Sequence, residues 1–252
     1  MKIQYASDLH LEMLANAAWI YRNPFIPCSE ILILAGDITY LTELHVNSPF
    51  FDTLSNQFEA VYIVPGNHEF YSWSYDIERT FPSFRLPIRD NIFYLNNQVI
   101  EFPGMRILFT TLFSKISNHS YVKSKINDFS NCIYKGENFT TLDYNDCHAN
   151  CIDFLEKALA IPFLGNTIIV SHHAPYPPEY CGYPKPTALN EVYHVDLLWL
   201  TEKYKIDHWI HGHNHNNQES LKIGKATFHT NQLGYVARDQ HKTFRTDVVL
   251  EI

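Results

Sequence analysis

Five short strings in this sequence combine carboxylates, imidazoles and a carboxamide. They are Asp8-Leu9-His10, Gly36-Asp37, Gly66-Asn67-His68-Glu69, Ser171-His172-His173 and His211-Gly212-His213-Asn214-His215. Such a mixed nitrogen and oxygen set, without thiolate, suits divalent first-row cations and disfavours a soft ion such as Cu(I). Asp8 and His10 stand two residues apart, so both reach one cation where a strand continues in extended form through them. Asp37 is expected to bridge two cations, with Gly36 allowing close backbone approach. Asn67 offers a side-chain oxygen to a metal, and His68 is then free to face a substrate, with Glu69 orienting nearby groups. Of the two adjacent imidazoles, His172 is the expected ligand because it comes first after an apolar run, leaving His173 as a supporting or substrate-side group. His213 and His215 can bind two neighbouring cations from one turn, whereas His211 is expected to pack behind them. Taken singly, each string also reads as a solvated loop or a turn.

The segments that must carry these strings alternate in character. Apolar runs over Lys2 to Ala6, Ile31 to Ala35, Ala60 to Val64, Asn166 to Val170 and Asp207 to Ile210 each end in one of the polar strings, as buried strands do. Helical spacing is found over Thr42 to Phe58, Tyr75 to Phe84, Thr141 to Ile161 and Val192 to Tyr204. The alternation predicts an α/β fold with largely parallel central strands, and ligands in such folds bind at the carboxyl ends of strands. Ile92 to Thr110 reads as a hairpin about Pro103-Gly104, and Ser220 to Phe228 and Phe244 to Ile252 read as further strands. The expectation is two packed sheets with helices outside, in one domain spanning residues 1–252. Ser114 to Thr140 is irregular, and Pro175 to Pro186, with five prolines and three tyrosines, cannot be a helix. Tyr176, Tyr180 and Tyr183 on that loop could wall the site.

Composition narrows the function classes. The net charge of −8 argues against a protein that grips duplex nucleic acid, which needs clustered Lys and Arg. Five cysteines without a C-x-x-C pair read as free thiols of a reducing cytoplasm. No stretch approaches the ~18 consecutive apolar residues of a membrane span. No motif specifies an oligomeric partner.

In order, D-L-H, G-D, G-N-H-E, H-H and G-H-N-H resemble the motifs of the calcineurin-like metallophosphoesterase superfamily, from Asp8 to His215. The resemblance implies a four-layer α/β/β/α sandwich of two mixed sheets flanked by helices. It also implies that Asp8, His10, Asp37 and His215 hold one metal ion and that Asp37, Asn67, His172 and His213 hold a second. His68 matches the catalytic histidine near the leaving group, and Asn67 and His173 are further candidates to touch substrate. Asn231-Gln232-Leu233-Gly234-Tyr235 resembles a stretch of one uncharacterised bacterial subgroup, but Gln232 and Leu233 replace its Pro and Arg. No second acid follows Asp37, because Ile38-Thr39-Tyr40 stand there.

The implied activity is hydrolysis of small phosphate mono- or diesters by two divalent cations, with manganese the first expectation and iron or zinc the alternatives. Cations ~3.5–4 Å apart would generate a bridging hydroxide to attack phosphorus, with Asp37 and His68 as the catalytic residues. Two divalent cations against the Asp8 and Asp37 carboxylates would leave the site positive inside an acidic protein. The alternatives are a protein phosphatase or short-oligonucleotide nuclease on the same metal core, a catalytically silent metal-binding scaffold, and a metal store or sensor.

Overall fold

Side chains that alternate between apolar environments along each strand dictate the layers of this protein. The computed structural model describes residues 1–182 and 187–252. The first seven strands are β1 (Lys2–Ala6), β2 (Ile31–Leu34), β3 (Ala60–Ile63), β4 (Phe84–Arg89), β5 (Ile92–Asn96), β6 (Gln98–Phe102) and β7 (Met105–Thr110). A short ribbon of β8 (Ile133–Tyr134) and β9 (Glu137–Asn138) follows. The chain then forms β10 (Asn166–Ser171), β11 (His208–Ile210), β12 (Leu221–Ile223), β13 (Ala226–His229) and β14 (Val249–Glu251). Among the described residues there are two six-stranded sheets, one in the order β14-β1-β2-β3-β5-β4 and the other β12-β13-β11-β10-β7-β6. In both, the inner strands pair in parallel and the outermost strands pair antiparallel.

Ile31 and Ile33 of β2 and Ile168 and Val170 of β10 fill the space between the sheets. Their neighbours Leu32 and Leu34 face outward to Ile20 of α1 (Leu14–Arg22), while α2 (Glu43–Val46) leads into α3 (Pro49–Gln57), whose Phe51 and Leu54 join the same cluster. Two short helices, α4 (His119–Lys123) and α5 (Asp128–Asn131), precede the long α6 (Thr141–Ala160). On the far side, Leu108 and Ile169 pack against Cys151, Leu155 and Leu159 of α6 and Leu200 of α7 (Leu198–Lys203). The strand period of two therefore serves two apolar faces at once, and four layers result, as expected from the sequence.

Thr140 and Asp143 form a reciprocal capping box that starts α6 at the expected residue. Other expectations need correction. Tyr75 to Phe84 is not a helix: a single turn at Ile77–Thr80 is followed by β4, because Pro82 lacks an N–H and biases Phe81 away from helical geometry. Thr42 to Phe58 breaks into α2 and α3, since Pro49 takes the first position of a new helix. Val192 to Tyr204 is α-helical only over α7, because the chain before it pairs with the loop after β10, Val195 N–H donating to the Ala174 carbonyl at 2.9 Å. Ile92 to Thr110 is three strands and not a hairpin alone: the chain changes sheet at Asn97, whose φ is 52°. All five cysteines are free thiols, four of them buried. No helix among the described residues is long and apolar enough to cross a membrane.

Candidate metal centre

The polar strings sit at the carboxyl ends of β1, β2, β3, β10 and β11, all inner strands of parallel pairs. The loops after β1 and β2 are stitched together beyond their strands. Asp8, His10 and Leu11 donate their N–H groups to the carbonyls of Gly36, Asp37 and Ile38, each at 2.9 Å. This corrects the expectation of an extended Asp8–His10 pair. Asp8 and His10 have φ of 55° and 47°, as do Asp37, His213 and His215 at 55°, 73° and 50°. Left-handed backbone at a non-glycine residue costs on the order of 1–3 kcal/mol and persists only where the surroundings over-determine it. Here the cross-loop bonds do so, and the side chains are turned inward as a result. Gly36, at φ 87°, also lies so close to the His172 ring that a Cβ there would collide with it, and a Cβ on Gly212 would collide with the Asp8 carboxylate.

Glu69 ties the third loop to the second. Its carboxylate accepts the N–H groups of Asp37 (2.9 Å), Ile38 (2.8 Å) and Gly66 (2.7 Å). Burial and the nearby Asp37 charge push its pKa up to about 8, against the pull of those bonds. Asp37 Oδ1 in turn accepts the His68 N–H at 2.9 Å.

Ligand atoms of Asp8, His10, Asp37 and His215 all lie within 4.8 Å of one another, and those of Asp37, His172 and His213 form a second such group. Asp37 belongs to both. Asn67 Oδ1 joins the second group, 3.2 Å from His172 Nε2. Each imidazole has one ring nitrogen taken by a protein acceptor and the other turned inward. His10 Nδ1 meets Glu12 at 3.2 Å, His172 Nδ1 the Ala35 carbonyl at 3.0 Å, His213 Nε2 the Val192 carbonyl at 3.0 Å, and His215 Nδ1 Gln240 Oε1 at 2.9 Å. The inward nitrogens then face one another in pairs, His10 Nε2 and His215 Nε2 at 3.0 Å and His172 Nε2 and His213 Nδ1 at 2.9 Å. Nitrogens this close need either a proton or a cation between them, and a cation satisfies both of a pair at once. The donor set fits two divalent cations on either side of Asp37, each ligand oriented by an outer hydrogen bond.

The electrostatics agree with anionic carboxylates. Burial would raise Asp8 and Asp37, but His215 and His172 outweigh it for Asp8, and the charges of His172 and His68 hold Asp37 well below the usual range. Burial, with the neighbouring His173 and His172, keeps His213 well below the ordinary histidine value and therefore neutral.

His68 lies beside the first group. Its ring stacks on Tyr71 with centroids 4.3 Å apart, and its Nε2 faces the Tyr235 hydroxyl at 3.4 Å. Burial opposes its charge, but Asp37 and Glu12 raise its pKa to about 9. Tyr235 also covers His10 and His215, and Tyr193 lies 5.0 Å from His213, so aromatic rings flank both groups.

Two of the side chains singled out in the sequence lie away from any open surface, and for His173 this favours the supporting one of its two expected roles. His173 touches no open surface: it is fully buried, Nε2 bonded to the Tyr144 hydroxyl at 3.1 Å and Nδ1 facing the Thr111 carbonyl at 3.3 Å, so it supports the ligand loop and does not face substrate. Tyr176 walls nothing; it is buried with its hydroxyl 2.7 Å from Nε2 of His211, which packs as expected. Tyr183 lies outside the described residues.

Four groups at the site escaped the sequence reading. Glu12 is bonded to His10 and His68, and Asp128 accepts from Asn67 Nδ2 at 3.0 Å and from the Tyr71 hydroxyl at 2.5 Å. Gln232 accepts the His215 N–H at 2.8 Å, and Gln240 holds its ring. Glu12 had a signal, since it follows His10 at the same two-residue spacing by which His10 follows Asp8. Asp128 had none.

Comparisons with known proteins agree with this geometry. The family model described as calcineurin-like phosphoesterase matches residues 1–217. The chain is 28% identical over 265 residues to uncharacterized protein L509 of Acanthamoeba polyphaga mimivirus, covering 92% of this chain and 91% of that one. Its fold resembles the crystal structure of phosphopantetheinyl hydrolase (PptH) from Mycobacterium tuberculosis, with a TM-score of 0.70 and 18% identity over 97% of this chain and 93% of the other.

Proposed function

Because the chain belongs to the calcineurin-like phosphoesterase family, we propose that it hydrolyses phosphate mono- or diesters of small molecules at a centre of two divalent cations. The two facing imidazole pairs on either side of Asp37 carry this conclusion. Asp8, His10, Asp37 and His215 would hold one cation, and Asp37, Asn67, His172 and His213 the other. When bound, the cations supply Lewis acidity toward the phosphoryl oxygens and acidify the attacking water. Manganese is the first expectation, with iron or zinc as alternatives for this nitrogen and oxygen set.

The remaining chemistry falls to the chain itself. His68 turns Nε2 toward the side where Tyr235 closes the site, and there it protonates the departing ester oxygen. Stacking on Tyr71 and the bond to Glu12 fix its plane, so the donor needs no reorientation during turnover. Glu69 holds the Asp37 and Gly66 loops at fixed spacing. Tyr235 and Tyr193 offer apolar faces to the organic part of a substrate. Residues 231–251 bond back to the first strand, and we take the whole of 1–252 as one catalytic domain. Five free thiols suit a reducing compartment, and we place the protein in the cytoplasm.

The test is a metal-reconstituted assay with an aryl phosphate, a bis-aryl phosphate and a nucleotide panel, beside a chelated control. Metal-dependent turnover on one of these classes is expected. Two bound cations with no turnover on any of them would instead favour a metal-binding scaffold.

A further inference from the structure

We propose that Glu12 is a positioning residue that pins the Nδ1 protons of both His10 and His68, so that one carboxylate oxygen orients a metal ligand and the proton donor together. This rests on the phosphoesterase reading given above. Glu12 Oε1 lies 2.8 Å from His68 Nδ1 and 3.2 Å from His10 Nδ1, and its side chain is only 3% exposed. The two rings meet edge to face with centroids 4.4 Å apart. Glu12 Oε2 has no hydrogen-bond partner among the described residues. A buried carboxylate accepts and cannot donate, and with one oxygen unpartnered its desolvation is offset only if both imidazoles present N–H groups to the other.

That requirement fixes the other ends of the rings. His10 is left with a lone pair on Nε2, aimed at the space beside His215 Nε2 (3.0 Å) and Asp37 Oδ2 (3.7 Å). In His68 the exchangeable proton is confined to Nε2, which faces the Tyr235 hydroxyl. When Nε2 gives its proton to the leaving oxygen, the ring becomes neutral and keeps its Nδ1–H on Glu12. Glu69, the neighbour of His68 in sequence, cannot take this role because its oxygens are engaged by the Asp37, Ile38 and Gly66 N–H groups. The partner instead comes from the loop after β1, 56 residues away.

The experiment is a double-mutant cycle at saturating metal, with bound metal verified for each variant. Glu12→Gln is expected to lower kcat on an aryl phosphodiester by about 10–100-fold with little change in KM. In a His68→Ala background the same substitution is expected to change kcat by less than about twofold, as residues acting as one unit are non-additive. An equal loss in both backgrounds would overturn the proposal. A second readout needs no turnover: side-chain nitrogen–proton NMR of the zinc-loaded protein, assigned with His10 and His68 variants. Nδ1-bonded protons on both rings that disappear in Glu12→Ala support the proposal, and a proton-free His68 Nδ1 in the wild type overturns it. If the wild-type protein hydrolyses no ester, the phosphoesterase reading falls while the NMR result still decides the role of Glu12.

Discussion

The Asn67 amide nitrogen donates to Asp128 Oδ1 at 3.0 Å across 61 residues of sequence, and this bond decides which way the amide points. With its NH2 group held by a buried carboxylate, Asn67 turns Oδ1 toward His172. A side chain of the irregular segment between β7 and α6 thus helps to orient a candidate ligand of the centre. Asp128→Ala is expected to weaken the cation beside His172 and His213 by about 10–100-fold while the fold is retained. Metal titration should show one site weakened and the other unchanged. Equal affinity of both sites in the variant would remove Asp128 from this role.

Asp37→Asn and His68→Ala are expected to act differently on the same reaction. Asp37 serves both donor groups, so its loss should remove bound metal and turnover together. His68 contributes no ligand atom to the proposed pair of metal sites, so its alanine variant should bind both cations and lose about 10²–10⁴ in kcat, the usual scale for general acid–base catalysis. Near-wild-type turnover in either variant, measured with metal content, would refute the assignment.

Gly36→Ala places a methyl group against the His172 ring and a side chain on a backbone of φ 87°. Both effects displace the second donor group. The expected result is reduced metal affinity with only a modest fall in melting temperature, since Gly36 lies at the end of β2 and outside the apolar cores. Unchanged affinity by calorimetry would show that His172 does not ligate from the position described.

Acid should destabilise the metal-free protein through buried histidines that the proposed metal sites do not use. Burial lowers His194 and His229 to about 4 in the folded chain, against an ordinary value of 6.5. The unfolded chain therefore takes up protons first as the pH falls. Stability is full above about 6.5 and is lost progressively toward 4, by up to about 1.4 kcal/mol per pH unit for each group. Denaturant midpoints measured across this window should fall, and His229→Asn should flatten the slope. An unaltered slope in that variant would contradict the burial argument.

Much of the fold was legible because its parallel inner strands are buried on both faces, and such strands read as unbroken apolar runs. β1 matched residue for residue, and β2, β3, β10 and β11 to within one. Legibility failed where tertiary pairing overrides local pattern, as at Phe84–Arg89, an antiparallel edge strand of which only Phe84 falls within a segment assigned an element from the sequence. α1 was missed because no side chain caps it; Asn16 within it bonds to the Leu9 and Gly234 carbonyls, a reason visible only in three dimensions. At the candidate site, the residue types that come together were readable but their backbone was not. Left-handed residues at Asp8, His10 and Asp37 are imposed by bonds between loops, and no local pattern encodes them.

The attachment of the last strand has a consequence for the order of assembly during synthesis. β14 pairs with β1, Lys2 opposite Glu251, and Asn231 Nδ2 donates to the Tyr5 carbonyl at 2.9 Å while Gln232 and Gln240 hold His215. The candidate ligand strings have all been made by His215, yet the groups that orient the last of them come later. A nascent chain ending at Asn217 should therefore fail to retain metal at the site beside His215, and loading of that site should wait until residues 231–251 have emerged.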